Sequence, residues 1–171
     1  DNLKKSYIGY VPQSTKIDRE FPLSVKEAVL MGLYGKIGLF HYPSRKDKEA
    51  ASKALHKVHM WKYRNRPIGH LSGGEQQKAM IARALVLDAK ILLLDEPTSS
   101  LDFQMTKSIF HLVRELNEKY GYTIIMVHHN VKLIRENCKR LLIFHQKICY
   151  DGVPSSEKAD KIIDLAYNVY N

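Results

Sequence analysis

Two short stretches, Ser72-Gly73-Gly74-Glu75 and Asp95-Glu96, carry groups suited to binding phosphate, metal and water. Ser72 and Glu75 have the S-x-x-E spacing of a capping box, in which the serine closes the first turn of a helix and the acid reaches back. The two glycines carry no Cβ and let a ligand approach the backbone closely. The first-turn N–H groups have no partner inside a helix and carry positive partial charge, so they offer a place for a phosphate. Asp95-Glu96 end the apolar run at 91–94. That run has no polar alternation, so it reads as a parallel strand buried on both faces. Open α/β sheets hold ligands at the carboxyl edge of such strands. An Asp there can hold Mg²⁺, and an adjacent Glu, pointing the other way from an extended chain, can orient a water.

The elements between and around these residues must position them. Met80, Ala84 and Leu87 share one face of an amphipathic helix, with Ile81 and Leu85 beside it. Pro97 stops the strand, and residues 98–102 (TSSLD) form a polar turn into another helix. Taken singly, a capping box is a common helix start, and an acidic pair after an apolar run is often a strand end meeting water. In this order, LSGGEQ, ILLLDEP and SSLD are far more specific, and the chain resembles the ATP-binding subunits of ABC transporters. LSGGEQ is similar to the family signature, ILLLDEP to its Walker B strand and SSLD to its D-loop.

The resemblance implies an α/β fold: a P-loop NTPase (RecA-like) ATPase core with a parallel sheet and an inserted helical subdomain. It implies ATP and Mg²⁺ as cofactors. Asp95 would act through Mg²⁺ and Glu96 as general base. Ser72, Gly73, Gly74 and Gln76 would close on ATP held by a second ATP-binding subunit in a head-to-tail homodimer, with Asp102 at the seam. YVPQ, after a short strand at 7–11, resembles the Q-loop, so Gln13 would reach metal and attacking water. Residues 122–127 (YTIIMV) read as another buried parallel strand, and the following HHN aligns His129 with the switch histidine on the γ-phosphate. Asn130 stands where the family usually has Asp, yet can cap a helix running to Cys138.

Residues 14–70 are expected to form the helical subdomain and Q-loop region, 71–152 the core, and 153–171 a C-terminal helix. In the first of these, residues 21–25 lead into a short helix, Lys26 to Gly32, ended by the glycine. Residues 34–42 read as a loop with exposed apolar groups. Ser44 caps a helix with Asp47 three residues on and Ala51, Leu55 and Val58 inward. The texture of this region looks most like the branch serving manganese, zinc or iron importers, which implies a transmembrane permease partner and, indirectly, a substrate-binding protein. Met105, Ile109, Leu112, Val113 and Leu116 mark a long helix ending near Gly121. Two short strands flank His145-Gln146, Asp151-Gly152 turns the chain out, and Ser155 opens a helix with Ile162, Leu165, Ala166 and Val169 on its apolar face.

The 171 residues suit one domain with a real core. The net charge of +9 is spread along the chain without a block of like charges, which favours a solvated surface over a nucleic-acid groove. Cys138 and Cys149 make no disulfide framework, and no apolar run approaches the ~18 residues that span a bilayer. A cytosolic location fits the two cysteines, and the resemblance implies a cytoplasmic place, peripheral on the inner face of the cell membrane. His56 and His59, at i and i+3, lack an accompanying carboxylate or Cys with ligand spacing. No G-x-x-x-x-G-K-[ST] occurs in the sequence, and the chain opens on Asp1. The expectation is a truncated form lacking the P-loop segment, inactive alone. The alternatives are a non-catalytic half-domain serving as an interaction module, and a DNA-repair or chromosome ATPase. The short insert without sustained heptads argues against the latter.

Overall fold

The computed structural model describes residues 8–13, 17–38 and 41–168. Contacts gather them into two compact units, the first ending at Val127 and the second beginning at His128. The first holds a parallel sheet in the order β1 (Ile8–Val11), β2 (Ile91–Asp95), β3 (Thr123–Val127). Val11 pairs with Leu94 and Asp95 with Val127, so the carboxyl ends of all three strands share one edge. Between β1 and β2 come α1 (Val25–Leu30), α2 (Tyr34–Ile37), α3 (Arg45–Lys57) and α4 (Gly73–Leu85), while α5 (Phe103–Glu118) joins β2 to β3.

Local chemistry starts α3 and α4 where expected. Ser44 and Asp47 form a capping box at α3, and Ala51, Leu55 and Val58 are fully buried. Ser24 and Glu27 build a second box at α1, a start the sequence reading did not single out. Asp102 caps α5, whose Ile109, Leu112 and Leu116 join the core, and Gly121 follows the helix at φ +71°. One apolar core runs from Val11 through Val25, Val29, Leu55, Ile81 and Leu92 to Leu116. His56 and His59 part company: His56 stacks on Trp61 with ring centroids 4.9 Å apart, and His59 Nε2 lies 2.7 Å from Glu115 Oε2.

Several expectations give way. The strands are not buried on both faces. Leu92 and Leu94 are 0% and 1% exposed, but on β3 Ile125 and Val127 are 48% and 59% exposed. Helices cover one side of this sheet, so an apolar run without alternation did not report two covered faces. Gly32 does not end a helix; the chain continues through a 3₁₀ turn at Met31–Leu33 into α2. A Cβ at Gly32 would overlap the Arg83 carbonyl and stand 2.7 Å from Val86 Cγ1, so this glycine serves close helix crossing. The expected loop at 34–42 therefore begins with a helical turn, which Gly38 ends at φ +84°. Tyr34 and Tyr42 are exposed, as expected, while residues 39–40 lie outside the described ones. On α4 the inward face centres on Ala79, Ile81, Ala82 and Leu85; Met80 and Leu87 are only half-buried.

The second unit holds α6 (Val131–Asn137), the antiparallel pair β4 (Leu141–His145) and β5 (Lys147–Gly152), and α7 (Glu157–Asn168). Asp151-Gly152 continues β5 instead of turning out, because Arg140 grips Asp151 with two hydrogen bonds of 2.6 and 2.5 Å across the ribbon. The last helix begins one residue later than expected, with the Ser156 hydroxyl accepting from Ala159 N–H at 3.1 Å. Ile162 packs on a small core of Leu141, Tyr150 and Ala159; Leu165, Ala166 and Val169 lie outside the described side chains.

Candidate functional site

The carboxyl edge of the sheet brings three of the expected residues together. β2 ends at Asp95, and Glu96 turns into the left-handed region at φ +41°. Its N–H donates to Val127 O at 3.0 Å and its carbonyl accepts from Ser99 N–H at 3.2 Å. Glu96 therefore leaves the strand through a turn instead of pointing opposite Asp95 along an extended chain, which corrects that detail of the sequence reading. β1 runs parallel to β2 and Pro12 ends it, so Gln13 emerges beside the acidic pair. The Gln13 amide Nε2 donates to Glu96 Oε2 at 3.1 Å.

Tyr10 is a member that sequence reasoning missed. Its hydroxyl donates to Asp95 Oδ2 at 3.3 Å. The phenol is pushed up from its ordinary pKa, first by the desolvation it meets and then by the charge and hydrogen bond of Asp95. Strand parity carried the signal. Tyr10 is paired with Leu93, and Leu93 shares a sheet face with Asp95, the face turned away from Val11, Leu92 and Leu94.

A second group lies where α4 and α5 begin. Ser72 caps α4: Glu75 N–H reaches the serine hydroxyl at 3.4 Å, and Ser72 N–H and hydroxyl both donate to Glu75 Oε2 at 2.9 Å. Burial pushes the Glu75 carboxyl up, but hydrogen bonds from Ser72 and Tyr63 and the charge of Arg66 outweigh it and hold the pKa low. Asp102 accepts from Met105 N–H at 2.8 Å. The two helix starts meet closely, for a Cβ on Gly74 would stand 2.6 Å from Met105 Sδ and one on Gly73 3.2 Å from Leu101 Cδ2. Gly74 is buried, so its missing Cβ admits α5; Ser72 and Gly73 remain exposed. Gln76 turns inward and donates to Ile68 O at 3.3 Å. Beyond the N–H groups taken by these caps, the first two N–H groups of each helix lie outside its own hydrogen-bond ladder, and such helix starts favour an anion.

His129 belongs to the second unit. It stacks on His128 with centroids 5.1 Å apart, just before α6. Asn130 caps that helix as expected, accepting from Leu133 N–H at 3.1 Å, and Cys138 ends it.

The donor set suits Mg²⁺. Asp95 offers carboxylate oxygen, and the Gln13 amide oxygen is an additional hard donor once its nitrogen is given to Glu96. Among the described residues no three His, Cys, Asp or Glu side chains converge as a metal cage. Mg²⁺ characteristically takes one or two carboxylates and completes its shell with phosphate and water.

A family model described as ABC transporter matches residues 2–99. The chain is 42% identical to the manganese transport system ATP-binding protein MntB of Bacillus subtilis, over 86% of this chain and 59% of that protein. It is 34% identical to the zinc transport system ATP-binding protein TroB of Treponema pallidum, over 94% of this chain and 60% of that one. Its fold superposes on an ABC transporter assigned to the metal-chelate type, in an inward-facing conformation, with a TM-score of 0.77 and 31% identity, covering 86% of this chain and 58% of that one. The chain thus spans about three fifths of the length of these relatives. It belongs to the ABC transporter family, and its α/β fold is that of the family's ATPases.

Proposed function

We propose that the protein is the ATP-hydrolysing subunit of an importer for a divalent metal ion, manganese, zinc or iron, and that residues 1–171 carry its signature half. The observation that carries this reading is the Gln13–Glu96 hydrogen bond of 3.1 Å beside Asp95, at the carboxyl edge of a parallel sheet. Glu96 takes a proton from the attacking water, and Gln13 orients that water and the carboxylate. Asp95 and Gln13 would hold Mg²⁺, which would supply positive charge to offset that of the phosphates. His129 contacts the γ-phosphate. Ser72, Gly73 and Gly74 close on nucleotide carried by a second ATP-binding subunit, with Asp102 at the seam, so turnover needs a head-to-tail pair.

The partner in the membrane is a permease, a reading supported by relatives that are ATP-binding proteins of transport systems; among the described residues no helix is long and apolar enough to cross a bilayer. The protein sits at the inner membrane face. Residues 1–171 contain no G-x-x-x-x-G-K-[ST], so this chain alone hydrolyses ATP poorly or not at all.

Calorimetry with Mg-ATP tests the reading on this chain beside one extended upstream to include a phosphate-binding loop. Binding by the extended chain only is expected. Tight binding by residues 1–171 unaided would mean that the signature half forms a different nucleotide site.

A further inference from the structure

The signature turn is reached through a stretch bonded, group by group, to the segment that follows Gln13. Ile68 N–H donates to Leu23 O at 2.9 Å, Val25 N–H to Arg66 O at 3.0 Å and Lys26 N–H to Arg64 O at 2.9 Å, with Ser24 and Pro67 bridged antiparallel. Gly69 marks the tightest point. A Cβ there would overlap the Asp18 carbonyl oxygen and stand 2.7 Å from both Cα and O of Arg19. All three are backbone atoms, so no change of rotamer relieves the overlap. Asp18 itself is fixed in a tight turn, its carbonyl accepting from Phe21 N–H at 3.1 Å and its carboxylate from Glu20 N–H at 3.0 Å.

On its other side the same stretch is tied to α4. Ile68 O accepts from the Gln76 amide at 3.3 Å and from Leu71 N–H at 3.2 Å. Ile68 thus gives its N–H to the segment behind Gln13 and its carbonyl to the first turn of α4. It is 1% exposed, so neither bond competes with water. The result is a continuous hydrogen-bonded and close-packed path from Asp18–Leu23 to Ser72–Gly74, with Gly69 as its narrowest contact.

We propose that Gly69 is a positioning residue that couples the segment after Gln13 to the signature turn, so that a displacement of one is passed to the other. The coupling rests on the ATPase reading above. In it, nucleotide is loaded on one subunit and the signature of the other closes on it, so a shifted signature turn impairs closure and not loading. A backbone shift of about 1 Å at a positioning element can cost about a hundredfold in rate.

The test is Gly69→Ala in the full-length ATPase assembled with its permease, measuring ATP hydrolysis with and without transported metal, and the unfolding midpoint. The expected result is a fall of about tenfold or more in metal-stimulated kcat, with KM for ATP within about twofold of the parent. Gly35→Ala, at an open position with nothing within 4 Å of a Cβ, should match the parent in both. Unchanged kcat, or loss of kcat and affinity together, would overturn the coupling while leaving the ATPase reading intact. Absence of hydrolysis in the parent complex would remove both. Should Gly69→Ala fail to fold, hydrogen exchange on the parent complex decides: protection at 18–25 and 66–76 must rise together over one range of ATP concentration, and separate ranges overturn the proposal.

Discussion

Glu96 occupies a left-handed backbone conformation that costs a non-glycine residue on the order of 1–2 kcal/mol, and the cost is visible at φ +41°. The Glu96 carboxylate is half-buried and reaches Gln13, a residue on another strand's exit. Strain of this kind persists where the side chain is needed for something other than folding. Two substitutions separate the roles in the ATP-hydrolysing full-length protein. Glu96→Gln keeps shape and strain but removes the base, so turnover should fall by about 10²–10⁴-fold with Mg-ATP binding kept. Glu96→Gly should also stop turnover, yet raise the unfolding midpoint, because glycine takes positive φ without penalty. Rapid turnover in the Gln variant, or a lowered midpoint in the Gly variant, would contradict the assignment. The pairing of Glu96 with Gln13 was legible only through resemblance. Tyr10 was not singled out, because a tyrosine on a short strand announces nothing until the register with β2 is known.

At the scale of elements, some caps were readable and inter-helix gaps were not. Ser44 with Asp47, Ser72 with Glu75, and Asn130 bond locally and were found from local spacing, whereas the Ser24–Glu27 box, of the same spacing, and the Asp102 cap were not singled out. Gly32 and Gly74 are set by elements distant in sequence, Arg83 and Met105, and no local pattern distinguishes a gap for a neighbour from a helix end or a ligand-facing position. The α4 cap yields a pH prediction. Because the folded-state pKa of Glu75 is lowered, its contribution to stability is full above the unfolded value of about 4.3 and is lost as pH falls through the folded value. Ser72→Ala should cost about 1 kcal/mol near neutrality, and the gap between variant and parent should narrow in acid below about pH 4. Urea unfolding at a series of pH values measures it; a gap that stays constant or widens in acid would show that the Ser72–Glu75 exchange does not stabilise α4.

For the whole chain, what escaped the sequence was which surfaces are covered. The runs at 91–94 and 122–127 look alike as strings of apolar residues, and the inference of burial on both faces followed from that likeness. Helices lie against Leu92 and Leu94, whereas Ile8, Tyr10, Ile125 and Val127 each remain about half exposed. An apolar sheet face combined with strands β1 and β3, whose outer backbone groups pair with no further strand among the described residues, is a template for association. The 171-residue chain should therefore form larger species as its concentration rises through the micromolar range in sedimentation velocity. Replacing Ile8 and Ile125 together by Lys should suppress this. The cost in unfolding free energy should stay within about 0.5 kcal/mol per site, the usual range for surface positions, because neither side chain belongs to the buried core. Leu92→Ala, one strand away and fully buried, should cost about 2–5 kcal/mol. The comparison is decisive because the two strands have nearly the same apolar content. If the Lys pair destabilised the chain as much as Leu92→Ala, that face would be packed in solution. If the pair left association unchanged, the contact would lie on some other surface of the molecule.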